Sequence, residues 1–328
     1  MLPDPERRLH EVVLGQEVVR PRPGPPFEWR DGAWRLTFAR PEVDRLEYLL
    51  GIDGDFVPDP SNPLRAAGPF GEKSVIEWPE YEQPAWLDTP ADSGPIEEIE
   101  IRCRRLVARV RVLVYATPEP PGADAPLIVA HDGPEYAAYS GLTRFLDAMS
   151  WEERVPPLRA ALIQPVDRDE TYSASATYAG ALVRELLPEI TKRAPHGTRI
   201  GMGASLGALA MLHAHRRHPK SFDGLLLQSG SYFRQRWDKY ESGFPRYRRI
   251  TRFVGTVLRG MDVERTVPVA ITCGTGEENR ANNEAVAEAL TEQGYPAWLA
   301  EVRDGHNWTA WRDSFDPHLP ALIEAVAE

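Results

Sequence analysis

The chain has 328 residues, is 42% hydrophobic and 27% charged, and carries a formal net charge of -11. That length admits one large α/β domain with a smaller companion, and the acidic balance argues against a nucleic-acid partner. No run approaches the roughly 18 apolar residues of a membrane span, and Met1-Leu2-Pro3-Asp4-Pro5-Glu6-Arg7-Arg8 lacks the apolar core of a signal peptide, so a reducing cytoplasm is the expected compartment.

Taken in order, residues 4 to 19 fit a short amphipathic helix, which Arg20-Pro21-Arg22-Pro23-Gly24-Pro25-Pro26 breaks. Phe27-Glu28-Trp29-Arg30 and Trp34-Arg35-Leu36-Thr37-Phe38 read as a hairpin turning at Asp31-Gly32. Arg45 to Leu50 and Ser74 to Trp78 are further strands, with a turn cluster at Val57 to Pro63. Short strands at this spacing suggest a small β-sandwich over residues 1–93. A polar, proline-bearing connection from Thr89 to Pro95 leads into residues 94–328, where longer strands and helices alternate.

In that second part, Leu106 to Tyr115, Ala125 to His131, Arg159 to Pro165, a short run ending at Ala204, Phe222 to Gln228, Val267 to Gly274 and Pro296 to Val302 are the predicted strands. Thr117 to Asp124 reads as a proline-rich hairpin loop. Leu142 to Trp151, Thr177 to Lys192, Leu206 onward, Asn282 to Gln293 and Phe315 to Val326 are the predicted helices. Such alternation implies an α/β fold with a mostly parallel sheet covered on both faces. Functional residues then belong at strand ends. Cys103 and Cys273 lie in or beside strands and read as buried thiols rather than a disulfide framework.

The most specific stretch is Gly203-Ala204-Ser205-Leu206-Gly207, at the junction of a strand and an alanine-rich helix. G-x-S-x-G in that setting marks a nucleophile elbow. Only glycines two before and two after let neighbouring backbone pass so tight a turn. The following helix aims its first amides at developing negative charge.

A serine hydroxyl needs a base. His306, in Asp304-Gly305-His306-Asn307-Trp308 after the last strand, occupies the position expected in a hydrolase of chain order Ser, acid, His. His131 ends a strand and could line the site. His213, His215 and His218 read as packing or surface groups. The acid belongs after the preceding strand, where Glu277 is the first choice and Glu278 the second. For the oxyanion, Leu206 supplies one amide. The second comes from the turn His131-Asp132-Gly133-Pro134-Glu135, and since Pro134 has no N–H, either Gly133 or Glu135 must supply it, or the hole is weakened. His and Cys are too scattered for a zinc site, and no dinucleotide fingerprint is present, so no cofactor and no metal are expected.

These segments, with Leu227-Gln228-Ser229-Gly230-Ser231-Tyr232-Phe233, Gly274-Thr275-Gly276-Glu277 and Gly305-His306-Asn307-Trp308-Thr309-Ala310-Trp311-Arg312, resemble the enterochelin (ferric enterobactin) esterase family, among the esterase D-like α/β-hydrolases. The resemblance implies an α/β-hydrolase preceded by an immunoglobulin-like domain. It implies cytoplasmic hydrolysis of a trilactone siderophore, with Ser205 as nucleophile, His306 as base and Glu277 at the acid position. Residues 231–260, where such folds carry a lid, hold eight basic side chains against two acidic ones, interleaved with aromatic rings. Arg234, Arg236 and Trp237, together with Trp308, are therefore candidate contacts for an anionic aromatic substrate.

The rival readings are a feruloyl or acetyl esterase, an acyltransferase on the same triad, and, from a different class, a binding protein whose site is degenerate. Pro134 is the feature favouring the last. The expected partner is a small-molecule ester, with no nucleic acid and no membrane, and a homo-oligomer is left open.

Overall fold

The computed structural model of the protein describes residues 1–18 and 24–327. The chain forms two compact units. One comprises Met1–Gln83 with two short returning stretches, Gly274–Glu278 and Glu301–Ala310; the other comprises Pro84–Cys273, Asn279–Ala300 and Trp311–Glu328.

The first unit holds two small antiparallel sheets. Strands β1 (Leu2–Pro3), β3 (Glu28–Arg30) and β4 (Ala33–Arg35) form one, in the order β1-β4-β3. Strands β2 (Val12–Gly15), β5 (Arg45–Ile52), β7 (Arg65–Ala66) and β8 (Lys73–Glu77) form the other, in the order β2-β5-β8-β7, with β6 (Asp55–Val57) paired to β5. Leu2 and Trp34 from one sheet bury against Val12, Leu14, Tyr48 and Leu50 from the other, which makes this part the expected sandwich. The hairpin at Asp31-Gly32 forms because both residues accept positive φ, 51° and 72°, as a turn matched to strand twist requires.

The helix expected over residues 4 to 19 is not there. The Asp4 carboxylate instead accepts Arg8 N at 2.8 Å, Leu9 N at 3.0 Å and Trp34 Nε1 at 3.0 Å. Val12 and Leu14 then turn inward as strand β2 against β5. Of the breaker segment, Arg20–Pro23 lie outside the described residues, as does Val19.

The large sheet has eight strands: β9 (Ile96–Cys103), β10 (Ala108–Ala116), β11 (Leu127–His131), β12 (Arg159–Ile163), β13 (Arg199–Ala204), β14 (Gly224–Gln228), β15 (Val269–Gly274) and β16 (Ala297–Val302), in the order β16-β15-β14-β13-β11-β12-β10-β9. Strands β12, β11, β13, β14 and β15 pair in parallel, while β10 is antiparallel to both β9 and β12. Every residue of β11, β14 and β15 is buried, which is why their sequences are continuous apolar runs rather than alternating ones. The helices are α1 (Gly133–Tyr139), α2 (Leu142–Trp151), α3 (Arg168–Tyr172), α4 (Ala176–Ala181), α5 (Leu187–Arg193), α6 (Leu206–Arg217), α7 (Tyr247–Leu258), α8 (Arg280–Glu292), α9 (Trp308–Asp313) and α10 (His318–Ala325). This is the α/β-hydrolase fold, with a mixed sheet whose parallel part carries the elbow.

Three local expectations are revised. Thr117 to Asp124 is not a hairpin loop, because β12 inserts between β10 and β11 and buries Ala160–Ile163 there. The helix over 177–192 is α4 and α5 joined by a π-helical turn at Leu182–Leu186, directly before Pro188, whose missing amide a regular turn would leave unmatched. The terminal helix expected from Phe315 starts later, as α10, and the separate short helix α9 precedes it. Cys103 and Cys273 are both buried and neither forms a disulfide, and among the described residues no helix is long and apolar enough to cross a membrane.

Candidate active site

Ser205 stands between β13 and α6 with φ 56° and ψ -122°. A non-glycine residue held there is strained, and such strain persists only where surrounding structure imposes it. The imposition is visible: Ser205 N donates to Gln228 O at 2.9 Å, and Ser205 O accepts Leu209 N at 3.2 Å and Ser231 N at 3.1 Å. Gly203 is required sterically. A Cβ on Gly203 would sit 2.6 Å from Gly207 C and 2.7 Å from Gly207 O. The Ser205 hydroxyl lies 3.1 Å from the Ser231 hydroxyl.

Glu277 and His306 are brought together: His306 Nδ1 is 2.7 Å from Glu277 Oε2. The Glu277 side chain is 1% exposed and the His306 ring 28%. The second Glu277 oxygen accepts Gly274 N at 2.7 Å, so the carboxylate is held by its own loop while it faces the imidazole. Glu278 is exposed. The loops themselves are stitched together, Thr275 N to Val302 O at 2.7 Å and Gly276 N to Asp304 O at 3.2 Å.

The turn after β11 lies against the elbow. His131 Nδ1 donates to Gly207 O at 3.0 Å, and a Cβ on Gly207 would meet Asp132 Oδ2 at 3.3 Å. Asp132 takes φ 49°. Arg168 grips its carboxylate through Nε at 3.0 Å and Nη2 at 2.8 Å, and the Asp132 backbone N–H donates to the Tyr172 hydroxyl at 3.2 Å. Gly133 packs on β12, where a Cβ would come within 2.2 Å of Leu162 Cα. Pro134 stands in the first turn of α1, where the missing N–H costs no intrahelical bond. Gly133 and Glu135 flank it as amide sources, and Leu206 is the first residue of α6, whose leading amides have no partner inside the helix. Burial pushes the Glu135 carboxyl up, reinforced by Asp132. His131 is fully buried, and burial holds it neutral, with its pKa down at about 4; it is a packing group, stacked on Tyr172 at 4.5 Å.

The family model described as "Putative esterase" matches residues 104–322. The chain belongs to that esterase family. It is 31% identical over 208 residues to the iron(III) enterobactin esterase of Escherichia coli O6:H1, covering 60% of this chain and 52% of that one. It is 26% identical over 245 residues to the iron(III) enterobactin esterase of Dickeya dadantii, covering 68% and 54%. The chain thus spans about half the length of the curated relatives it matches. Among solved structures, ferric enterobactin esterase of Salmonella typhimurium superposes with TM-score 0.79 at 19% identity over 98% of this chain and 90% of that one. The enterobactin esterase of Shigella flexneri, crystallised in the presence of enterobactin, gives 0.78 at 22% over 96% and 88%. A ferulic acid esterase gives 0.60 at 16% over 71% and 99%.

In this chain the expected substrate contacts are unequal. Arg234 lies over the Trp237 ring at 4.2 Å. Its Nε donates to Asn282 Oδ1 and its N–H to Asp238 Oδ2 at 2.6 Å. Trp237 is 69% exposed, Arg236 is exposed and Trp308, the first residue of α9, is half-buried. Two other basic residues of the segment, Arg246 and Arg249, are both paired with Glu170, so the stretch is less cationic than its composition suggests. Ser231, Arg168 and the asparagines Asn279 and Asn283, which hold the Ser229-Gly230 backbone, escaped the sequence reading. Their one signal was position just past a strand end. Among the described residues, no group of three or more His, Cys, Asp or Glu is placed to hold a metal ion.

Proposed function

We propose that this chain is a serine carboxyl-ester hydrolase. In this reading the Ser205 hydroxyl attacks the acyl carbon and His306 takes its proton. The alcohol leaves with that proton, and water then releases the acyl group from Ser205 by the same base. Glu277, accepting from Nδ1, fixes the tautomer that leaves Nε2 as the acceptor for the serine proton and stabilises the imidazolium that forms. The oxyanion is met by the Leu206 amide and by that of Gly133 or Glu135. The observation that carries the reading is the strained Ser205 at a strand-to-helix junction two residues after the sterically obligatory Gly203, a conformation with a stability cost. The buried Glu277 facing His306 supports it.

The substrate we propose is a siderophore ester of the enterobactin kind, taken as a small molecule. Supporting this are the curated relatives, named iron(III) enterobactin esterases, and the aromatic, arginine-bearing segment with Arg234 stacked on Trp237. Such a platform suits a catecholate ring with its negative charge. The test is a substrate panel: p-nitrophenyl esters of rising chain length, methyl ferulate, and a cyclic catecholate trilactone with and without iron. Turnover of the trilactone well above the others supports the assignment. Preference for methyl ferulate redirects it to the feruloyl class. No turnover of any ester, together with no labelling of Ser205 by a fluorophosphonate, marks a degenerate binding protein instead.

A further inference from the structure

Arg45 stands on β5, 259 residues before the partner it reaches, and is 3% exposed. Its Nη1 is 2.9 Å from Glu47 Oε1, 3.4 Å from Asp304 Oδ2 and 3.4 Å from Asn307 Oδ1. Asp304 and Asn307 are themselves 4% and 7% exposed. They bracket His306 in sequence and close its turn. Asp304 Oδ1 accepts Gly305 N at 2.6 Å and Asn307 Nδ2 at 2.8 Å, and Asn307 Oδ1 accepts Ala310 N at 2.9 Å. Beside this, Asp44 N donates to Arg303 O at 2.7 Å, and the Asp44 carboxylate accepts Arg303 Nε at 2.9 Å. One guanidinium is thus the shared donor to both side chains that define the histidine turn.

A buried arginine flanked by two carboxylates is expensive to desolvate and holds its place only with its hydrogen bonds made. Its planar fork serves several acceptors at fixed angles, which a lysine ammonium does not. Sequence-local bonds alone would close the 304–307 turn; they would not set where that turn stands. Arg45 ties it to a β-strand, the more rigid kind of element on which to seat a reacting group.

We propose that Arg45 is a positioning residue for the general base: acting through Asp304 and Asn307, it fixes the turn that carries the His306 imidazole. This rests on the reading of His306 as base. A misplacement of about 1 Å at such a group can lower turnover on the order of 10²-fold.

The test is a double-mutant cycle on a p-nitrophenyl ester, with folding followed by circular dichroism. Arg45→Met is expected to lower kcat about 10- to 100-fold with KM changed less than about 3-fold. Arg45→Lys should recover only part of the loss. In a His306→Ala background, Arg45→Met should change the residual rate less than about 2-fold, because the group it positions is gone. Full kcat in folded Arg45→Met overturns the proposal, and so does an equal loss in both backgrounds. If Arg45→Met does not fold, Asp304→Asn, which keeps the shape of the turn, is put through the same cycle with the same criteria. His306→Ala made alone reports on the underlying reading: unchanged turnover there removes the base and the positioning role together, whereas a large fall there with an inert Arg45→Met removes the positioning role alone.

Discussion

Ser205 is the residue on which local strain, sterics and chemistry converge. Replacing it with alanine removes the hydroxyl and leaves the turn, so kcat should fall on the order of 10³- to 10⁶-fold while the fold persists, as steady-state kinetics beside a thermal melt would show. Gly203→Ala acts differently. Its Cβ would press on the Gly207 backbone at 2.6 Å, which has no flexible end to move aside. We expect a cost of about 1–3 kcal/mol in stability together with loss of activity, measured by denaturant unfolding and turnover on one preparation. Glu277→Gln keeps the shape of the acid and withdraws its charge. With the Nδ1 partner changed to an amide, the tautomer is no longer enforced, and kcat should drop by about 10²- to 10⁴-fold, whereas the exposed Glu278→Gln should leave kcat within about 2-fold.

At the scale of elements, the turn into α1 shows how a departure in sequence is accommodated. Pro134 removes one amide, but it enters at the first helical turn, where that amide had no partner. Asp132, clamped by Arg168, fixes the backbone on either side. Gly133→Ala would drive a Cβ into β12 at 2.2 Å from Leu162 Cα. The turn must then shift, and hydrolysis should fall 10²-fold or more, about the cost of losing one oxyanion donor, with a smaller change in KM. The segment between β14 and α7 is judged by another readout. Arg234→Met removes the charge over Trp237, so KM for an anionic aromatic ester should rise several-fold more than KM for a neutral one. Equal effects on both would remove the segment from substrate recognition.

For the whole molecule, the buried histidines set the acid limit. Burial lowers His131 and His215 to about 4, and His213 to about 3. His131 Nδ1 faces a carbonyl and Nε2 is buried without a partner, so a second proton there would be an uncompensated charge. Each group has a folded pKa below its unfolded value of about 6.5, so the stability it contributes is whole above pH 6.5 and is lost as pH falls from there toward 4. For His131 the loss amounts to roughly 3 kcal/mol. Melting temperature should therefore decline steeply between pH 6.5 and 4 in the wild type, and less steeply in His131→Asn, which retains a donor but takes up no proton.

Much of the catalytic reading was legible in short stretches. Gly203 to Gly207 announces an elbow because its requirement is local: two residues without Cβ within five positions. The apolar runs of β11, β14 and β15 announce a covered parallel sheet because burial on both faces leaves no polar alternation. Glu277 and His306 were chosen by their rank after successive strands, and the structure sets their side chains 2.7 Å apart. What was misread depended on distant partners. Residues 4 to 18 carry helical spacing, yet Trp34 and the Asp4 bonds make them strand and turn. Residues 117–124 look like a hairpin loop until β12, which comes later in the chain than β11, takes the place between the two strands. Arg45 gave no signal, and Arg168 and Ser231 none beyond standing past a strand end, since a charged or hydroxyl side chain reads as surface until its partner is known. The sequence by itself determined the fold class, and it is the source of the proposed nucleophile and of the proposed order of catalytic groups, because each rests on spacing along the chain. Only the tertiary structure decided how those groups are held, because an arginine at 45 and an aspartate at 304 have no relation until burial makes their charges answer to one another.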